Sequence, residues 1–165
     1  QTGQFSQMNE SSVNTIRFMT TLYPDGEARI IATFIKIGRA GKCVDNAGDG
    51  GNVDVCVDTE TGKIKYAIQY DGWRKIKAEV IKFQQAFPYC KAAGWDIAIT
   101  DEGPVVIEVN DSWDRTGQYF IRRGWKNEIK DCYKAWRQVG YDPMVERGSN
   151  NFSKMQLRKY RRMFK

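Results

Sequence analysis

The segment WDIAITDEGPVVIEVN, from Trp95 to Asn110, constrains the fold more than any other part of the chain. Apolar and polar residues alternate on both sides of a central Asp-Glu-Gly, which is typical of two half-buried antiparallel strands joined by a tight turn. The alternation predicts that one face of this hairpin carries Trp95, Ile97, Ile99, Val105, Ile107 and Val109. It predicts that the other face carries Asp96, Ala98, Thr100, Val106, Glu108 and Asn110.

The register of this hairpin decides where its acidic side chains meet. A three-residue turn over 101–103, with its glycine in the left-handed conformation, pairs Thr100 with Pro104. Asp96 then lies directly opposite Glu108 on the same face. A slip of one residue would instead separate the two carboxylates.

An acidic pair of this kind predicts a bound cation. Carboxylates that face each other across two strands repel by up to about 1 kcal/mol. Asn110 lies two residues beyond Glu108 on the same face, so Asp96, Glu108 and Asn110 offer an all-oxygen set of ligands that suits Mg²⁺. The alternative is a solvated polar face that tolerates the repulsion.

The remaining sequence predicts a second hairpin and two helices. The β-prone stretches 13–22 and 28–37 flank the turn sequence YPDG at 23–26. The helical spacing of Ile76, Val80, Phe83 and Phe87 predicts a helix over 73–87. The spacing of Ile129, Tyr133 and Trp136 predicts another over 126–139. Antiparallel hairpins with helices inserted after them predict an α+β fold, mainly an antiparallel β-sheet flanked by helices.

Charge is distributed unevenly along the chain. The net charge is +6, and residues 154–165 alone contain six Lys or Arg and no acid, so the rest of the chain is neutral. We therefore expect a polar loop over 1–12, one neutral domain over 13–141, and a linker with a basic tail over 142–165. The tail has two interpretations: it contacts nucleic acid or another anionic surface in a non-enzymatic α+β module, or it docks on the domain as a helix. The neutral domain carries no recognised nucleic-acid motif, so nucleic acid is the less favoured partner.

The chain has no histidine, and its four cysteines form no CxxC pair. The missing histidine excludes Ser-His-Asp and Cys-His catalysis within this chain, and also His-ligated zinc. The cysteines are expected to be free thiols in a cytoplasmic protein. The sequence contains no apolar run of about 18 residues that would predict a membrane span, and its polar start is unlike a signal peptide. The first residue is Gln and not Met, which is typical of a piece of a longer chain and equally of a processed protein.

The motif Asp96…Glu108-Val109-Asn110, preceded by Ala92-Ala93-Gly94-Trp95, resembles the metal-binding end of the ATP-grasp carboxylate–amine ligases. The resemblance implies that Asp96, Glu108 and Asn110 hold the Mg²⁺ that bridges the phosphates of ATP. It also implies that the domain is an ATP-grasp C-terminal lobe.

Two upstream segments extend the resemblance. SSVNTIRF is similar to the strand that carries a phosphate-facing arginine, which makes Arg17 that residue. CVDNAGDGG is similar to an Asn-x-x-x-Gly-Gly loop near the transferred phosphoryl group, which corresponds to Asn46, Gly50 and Gly51. Two further candidates for phosphate contact lie near this loop in the sequence, Lys36 and Arg39.

The segments SVNTIR, VDN…GG, WDIAIT and GPVVIEVN together look closest to the sugar-transfer-associated branch of ATP-grasp enzymes, and the resemblance covers about residues 9–140. Val44 stands where the ligases that act on protein ends often have Arg, and DSWD follows Asn110 where Ser-Ser-Pro-Gly is common. The family implies ATP, Mg²⁺, a carboxylate substrate and a nucleophilic acceptor, which the branch suggests is linked to polysaccharide synthesis. It also implies an N-terminal lobe that precedes this chain, so we expect no turnover by these residues alone.

Overall fold

The computed structural model describes residues 3–39, 41, 52–64, 72–111, 113 and 116–141. The described elements are, in chain order, α1 (Gly3–Met8), β1 (Thr15–Leu22), β2 (Ala28–Gly38), β3 (Asn52–Cys56), α2 (Trp73–Ala86), β4 (Ala92–Thr100), β5 (Gly103–Asn110), α3 (Thr116–Phe120) and α4 (Lys126–Gln138). The strands form one five-stranded sheet in the order β3-β2-β1-β4-β5, and all pairs of neighbouring strands are antiparallel. The α+β class and the antiparallel sheet flanked by helices are therefore confirmed.

The β1–β2 hairpin follows the sequence prediction closely. Its turn closes with a hydrogen bond from the Gly26 N–H to the Tyr23 carbonyl (3.0 Å), and Gly26 has a φ of 83°. Glycine adopts this left-handed conformation without a Cβ penalty, which explains its place in the turn. Thr15, Arg17 and Met19 share one face of β1, as alternation requires.

One face of the sheet is covered by α2, and we call it the α2 face. Its core consists of alternate residues of β1, β2 and β4, among them Phe18 and Trp95, packed against Trp73, Ile76 and Val80. The rings of Phe18 and Trp73 stack with their centroids 5.3 Å apart. The predicted helix and its inward-facing Ile76 and Val80 are confirmed, because apolar residues at this spacing bury one helix face.

The opposite face, which we call the α4 face, has an apolar end and a polar end. At the apolar end Met19 and Phe34 belong to one buried cluster with Trp125, Ile129 and Tyr133, which lie at the start of α4 and within it. Phe34 and Trp125 stack with their centroids 6.4 Å apart. The strands continue beyond this cluster into the polar end described below.

Two short helices were not predicted from the sequence. Residues 1–12 were expected to be a loop, but α1 forms within them and its Phe5 is only 2% exposed. The Asn14 side chain donates a hydrogen bond of 2.7 Å to the Phe5 carbonyl and ties α1 to the start of β1. The expectation of a loop was therefore wrong over 3–8, because burial of one aromatic side chain and this buried hydrogen bond stabilise a helix too short to show a periodic pattern. The other short helix, α3, has no apolar periodicity either.

The β4–β5 hairpin reaches the predicted pairing of Asp96 with Glu108, but by a different route. Thr100 pairs with Gly103 and not with Pro104, so the turn is one residue shorter than predicted. Ile97 pairs with Val106, and the register then shifts between Ile97 and Asp96. This shift restores the expected pairing of Asp96 with Glu108. Such a bulge places an extra residue, here Ile107, on one strand.

This bulge also changes the predicted faces of β5. Val105 lies opposite Ala98, and Val106 lies opposite Ile97, so these two valines have exchanged faces relative to the prediction. The central strand β4 is buried on both faces, whereas the edge strand β5 is mostly exposed. Alternation in the sequence could not reveal the bulge, because the bulge breaks the period of two.

Candidate functional site

The polar end of the α4 face carries one charged residue from each strand, and we call this set the polar row. Across the sheet it consists of Asp54 (β3), Lys36 (β2), Arg17 (β1), Asp96 (β4) and Glu108 (β5). Asp54 pairs with Lys36, Arg17 pairs with Asp96, and Asp96 pairs with Glu108. Cross-strand partners share a face, and so do residues two apart on one strand. Lys36 lies two residues from Phe34, the cross-strand partner of Arg17, so Lys36 and Arg17 are diagonal neighbours on the same face.

Arg17 and Asp96 form the centre of the row. Arg17 Nε donates to Asp96 Oδ1, and Arg17 Nη2 donates to Asp96 Oδ2 at 2.6 Å. Arg17 is 8% exposed and Asp96 is 2% exposed, so this two-point ion pair is buried. The fork of a guanidinium matches the two oxygens of a carboxylate, and such charge-assisted pairs are the stronger kind of hydrogen bond.

Lys36 is the second cation on the same carboxylate. Its Nζ lies 3.1 Å from Asp96 Oδ2, and its side chain is largely buried. Asp96 thus accepts hydrogen bonds from two positive groups on two different strands. Glu108 on the edge strand β5 and Asp54 on the edge strand β3 supply two further negative charges, so the row is acidic at both ends.

Asp54 belongs to this row although the sequence did not single it out. It is 9% exposed, and its position opposite Lys36 places it on the α4 face. A signal was present in the strand sequence NVDVC, where one acid stands between two valines. An acid in such a strand faces away from the apolar side, but only the pairing of β2 with β3 reveals which cation it faces.

Gly94 makes room for the Arg17 side chain. A Cβ at position 94 would lie 3.1 Å from Arg17 Nη1 and 3.3 Å from Arg17 Cδ, closer than ordinary contact. Gly94 pairs with Met19 on one side and with Asn110 on the other. A glycine inside a strand often marks such a close approach, so the sequence did contain this signal.

The three oxygen donors predicted to hold Mg²⁺ lie at neighbouring positions of the hairpin. Asp96 and Glu108 are cross-strand partners, and Asn110 lies two residues beyond Glu108 on the same face. Glu108 is exposed and Asn110 is half-buried, so both are accessible from solvent. Two carboxylates and an amide carbonyl are ligands that a hard cation prefers, and the donor set therefore fits Mg²⁺. Within the described ranges, no three His, Cys, Asp or Glu side chains are grouped for metal binding, so the predicted set depends on the Asn110 amide as its third ligand.

Of the other predicted phosphate-contacting residues, the structure describes Arg39 alone. Arg39 follows the end of β2 and is exposed. Asn46, Gly50 and Gly51 lie outside the described residues, as does the basic tail. Their proposed roles stay predictions.

A separate cavity of about 500 Å³ lies at the other end of β2 and β3. Residues of β2, the segment 56–60 and the segment 121–128 line it, and none of the predicted site residues does. Its two arginines already have acidic partners, Arg29 with Glu27 and Arg123 with Glu128.

No protein-family model matches this chain, and no curated protein matches it. In the part of the chain that the structure describes, no helix has both the length and the apolar character needed to cross a membrane.

Proposed function

We propose that the polar row is the phosphate- and magnesium-binding face of an ATP-grasp C-terminal lobe. The lobe would supply half of the active site of an ATP-dependent carboxylate–amine or carboxylate–nucleophile ligase. The observation that carries the proposal is the convergence of Arg17, Lys36, Asp96 and Glu108 from four strands onto one sheet face. Two cations beside two carboxylates offer partners both for phosphate oxygens and for a metal ion.

Each residue has a distinct role in this proposal. Arg17 and Lys36 supply positive charge for the phosphate oxygens of ATP, while Asp96, Glu108 and Asn110 supply oxygen ligands for Mg²⁺. A bound Mg²⁺ would supply positive charge that offsets the negative charge of the phosphates. By resemblance, Arg39 and three residues of the segment 46–51, Asn46, Gly50 and Gly51, would complete the phosphate site.

The reaction proposed for the complete enzyme has two steps. A carboxylate oxygen of the substrate forms a bond to the γ-phosphorus of ATP as the bond between that phosphorus and ADP breaks. The nucleophilic acceptor then bonds to the carbonyl carbon of this acyl phosphate and releases inorganic phosphate. Phosphoryl transfer depends mostly on positioning and on charge neutralisation, so it needs no histidine.

The complete enzyme in this proposal has a second lobe that contacts the nucleotide from the other side. The isolated chain is then expected to bind nucleotide weakly and to turn over no substrate. A cytoplasmic location belongs to the same proposal, supported by the free thiols of Cys56 and Cys132. A sugar-linked or polysaccharide precursor is the substrate class that the branch resemblance suggests.

Titration calorimetry with ATP and Mg²⁺ tests the proposal on the isolated chain. We expect dissociation constants near the millimolar range for the wild type, and at least about tenfold weaker binding for Asp96→Asn and for Glu108→Gln. Arg29→Gln is the matched control, since Arg29 is an exposed cation on the same sheet that pairs with Glu27. Binding that is equally strong in wild type, Asp96→Asn and Glu108→Gln would refute the assignment of this site.

A further inference from the structure

The Asp96 carboxylate is occupied by two protein cations, which sets a condition for ligand binding. We propose that a divalent metal and a polyphosphate bind the polar row by exchanging ion pairs, so that each ligand alone binds poorly. The metal replaces Arg17 and Lys36 at Asp96, and the two released cations take the oxygens of the anion. This inference rests on the proposed function, and it adds how the two ligands depend on each other.

A metal ion that binds alone competes with Arg17 and Lys36 for the Asp96 carboxylate. Both carboxylate oxygens accept hydrogen bonds from Arg17, and Oδ2 also accepts one from Lys36. A divalent cation at this carboxylate would stand beside two positive groups in a largely buried setting, where screening by water is weak. Removing either protein cation should therefore strengthen the binding of the metal alone.

An anion that binds alone competes with the Asp96 carboxylate for Arg17 and Lys36. The Nε and Nη2 groups of Arg17 and the Nζ group of Lys36 are directed at Asp96. A polyphosphate that attracts these donors away would leave Asp96, which is 2% exposed, as a buried charge with its ion pairs broken. Leaving a buried charge uncompensated is strongly unfavourable.

The two ligands together remove both obstacles. The metal compensates the charge of Asp96, and the anion accepts the hydrogen bonds that Arg17 and Lys36 no longer donate to it. Lys36 also keeps Asp54 as its neighbour on β3, so its position in the row does not depend on Asp96 alone. Coupling of this kind is reciprocal: each ligand raises the affinity for the other by the same factor.

Calorimetric titrations with MgCl₂ alone, sodium tripolyphosphate alone, and both together test the exchange on the full chain. For Arg17→Gln we expect Mg²⁺ alone to bind at least about tenfold more tightly than to wild type, because a like charge beside the site is gone. The same variant should bind the Mg²⁺–tripolyphosphate pair at least about tenfold more weakly, since it loses a charged contact to phosphate. Lys36→Gln should show both changes in the same directions, and Arg29→Gln should show neither.

The outcomes separate this inference from the proposed function. If wild type binds the Mg²⁺–tripolyphosphate pair but neither variant gains affinity for Mg²⁺ alone, the exchange is refuted and the proposed function survives. If wild type binds neither Mg²⁺ nor the pair, both are refuted. Near-ultraviolet circular dichroism checks that each variant is folded. Lys36→Gln keeps the Arg17–Asp96 ion pair intact, so it decides the question even if Arg17→Gln fails to fold.

Discussion

Gly94 and Arg17 are in close contact across β4 and β1: a Cβ on Gly94 would lie 3.1 Å from Arg17 Nη1. The guanidinium that pairs with Asp96 therefore depends on the absence of a side chain on a neighbouring strand. This dependence gives the first prediction.

Gly94→Ala should shift Arg17 and weaken Mg²⁺–ATP binding by about tenfold, because a displaced guanidinium loses its two-point geometry. The fold should survive, since the atoms nearest the new methyl group include the far end of a flexible side chain. Titration calorimetry measures the affinity. Gly124→Ala is the control, because its new Cβ would meet only Gln118 Oε1 at 3.4 Å. Equal affinities in the two variants would show that Gly94 does not position Arg17.

The buried Arg17–Asp96 ion pair affects both stability and ligand binding, and two variants separate these effects. Asp96→Leu should lower the free energy of unfolding by about 3 kcal/mol, because it leaves Arg17 buried without this carboxylate. The double variant Arg17→Met, Asp96→Leu should recover at least half of that loss, since apolar replacements of a buried pair are often tolerated. Neither variant should bind Mg²⁺–ATP. Urea unfolding measures stability, and a double variant no more stable than Asp96→Leu would contradict the prediction.

Gly62 lies before α2 in the chain, and its backbone lies close to the Trp73 side chain in the core of the α2 face. It has a φ of 71°, and a Cβ there would lie 2.4 Å from the indole of Trp73. We expect Gly62→Ala to lower the free energy of unfolding by at least about 2 kcal/mol, because left-handed strain adds to a clash with a buried ring. Gly26→Ala has comparable backbone strain but no atom near the new Cβ, so it should cost only about 1 kcal/mol. Similar losses in the two variants would exclude a contribution from Trp73.

Alkaline pH should destabilise the protein partly through Cys132. Burial raises the pKa of this thiol to about 12. The unfolded chain loses the thiol proton first, so this contribution to stability is complete below the ordinary thiol pKa and is lost as pH rises toward 12. In urea unfolding across that window, Cys132→Val should lose less stability with rising pH than wild type does. Identical pH slopes would show that Cys132 contributes nothing.

Peptide mapping after brief alkylation provides a second readout of the same burial. Exposed Cys56 should react with iodoacetamide in the folded protein, whereas buried Cys132 should react only after unfolding. Rapid labelling of Cys132 under native conditions would contradict its burial.

Periodicity in the sequence was sufficient for the long elements. The spacing of Ile76 and Val80 predicted α2, and the YPDG turn predicted the β1–β2 hairpin, because both signals are local. Helix α1 was not predicted because its six residues are too few to show a periodic pattern. Burial of Phe5 and the hydrogen bond from Asn14 hold it in place.

The site was only partly predictable for a different reason. The Asp96–Glu108 pairing was predicted from a three-residue turn without a bulge, and it holds because the shorter turn and the bulge at Ile107 offset each other. The partners of Asp96 come from β1 and β2, which are distant in the sequence, and their identity depends on the order of strands in the sheet. Asp54 required the same long-range information.

The bulge at Ile107 makes the two ends of the β4–β5 hairpin independent of each other. Between the bulge and the turn, the pairing depends on turn length; on the other side, Asp96, Glu108 and Asn110 keep their own alignment. Insertions or deletions at the tip can therefore be absorbed before they reach the charged residues.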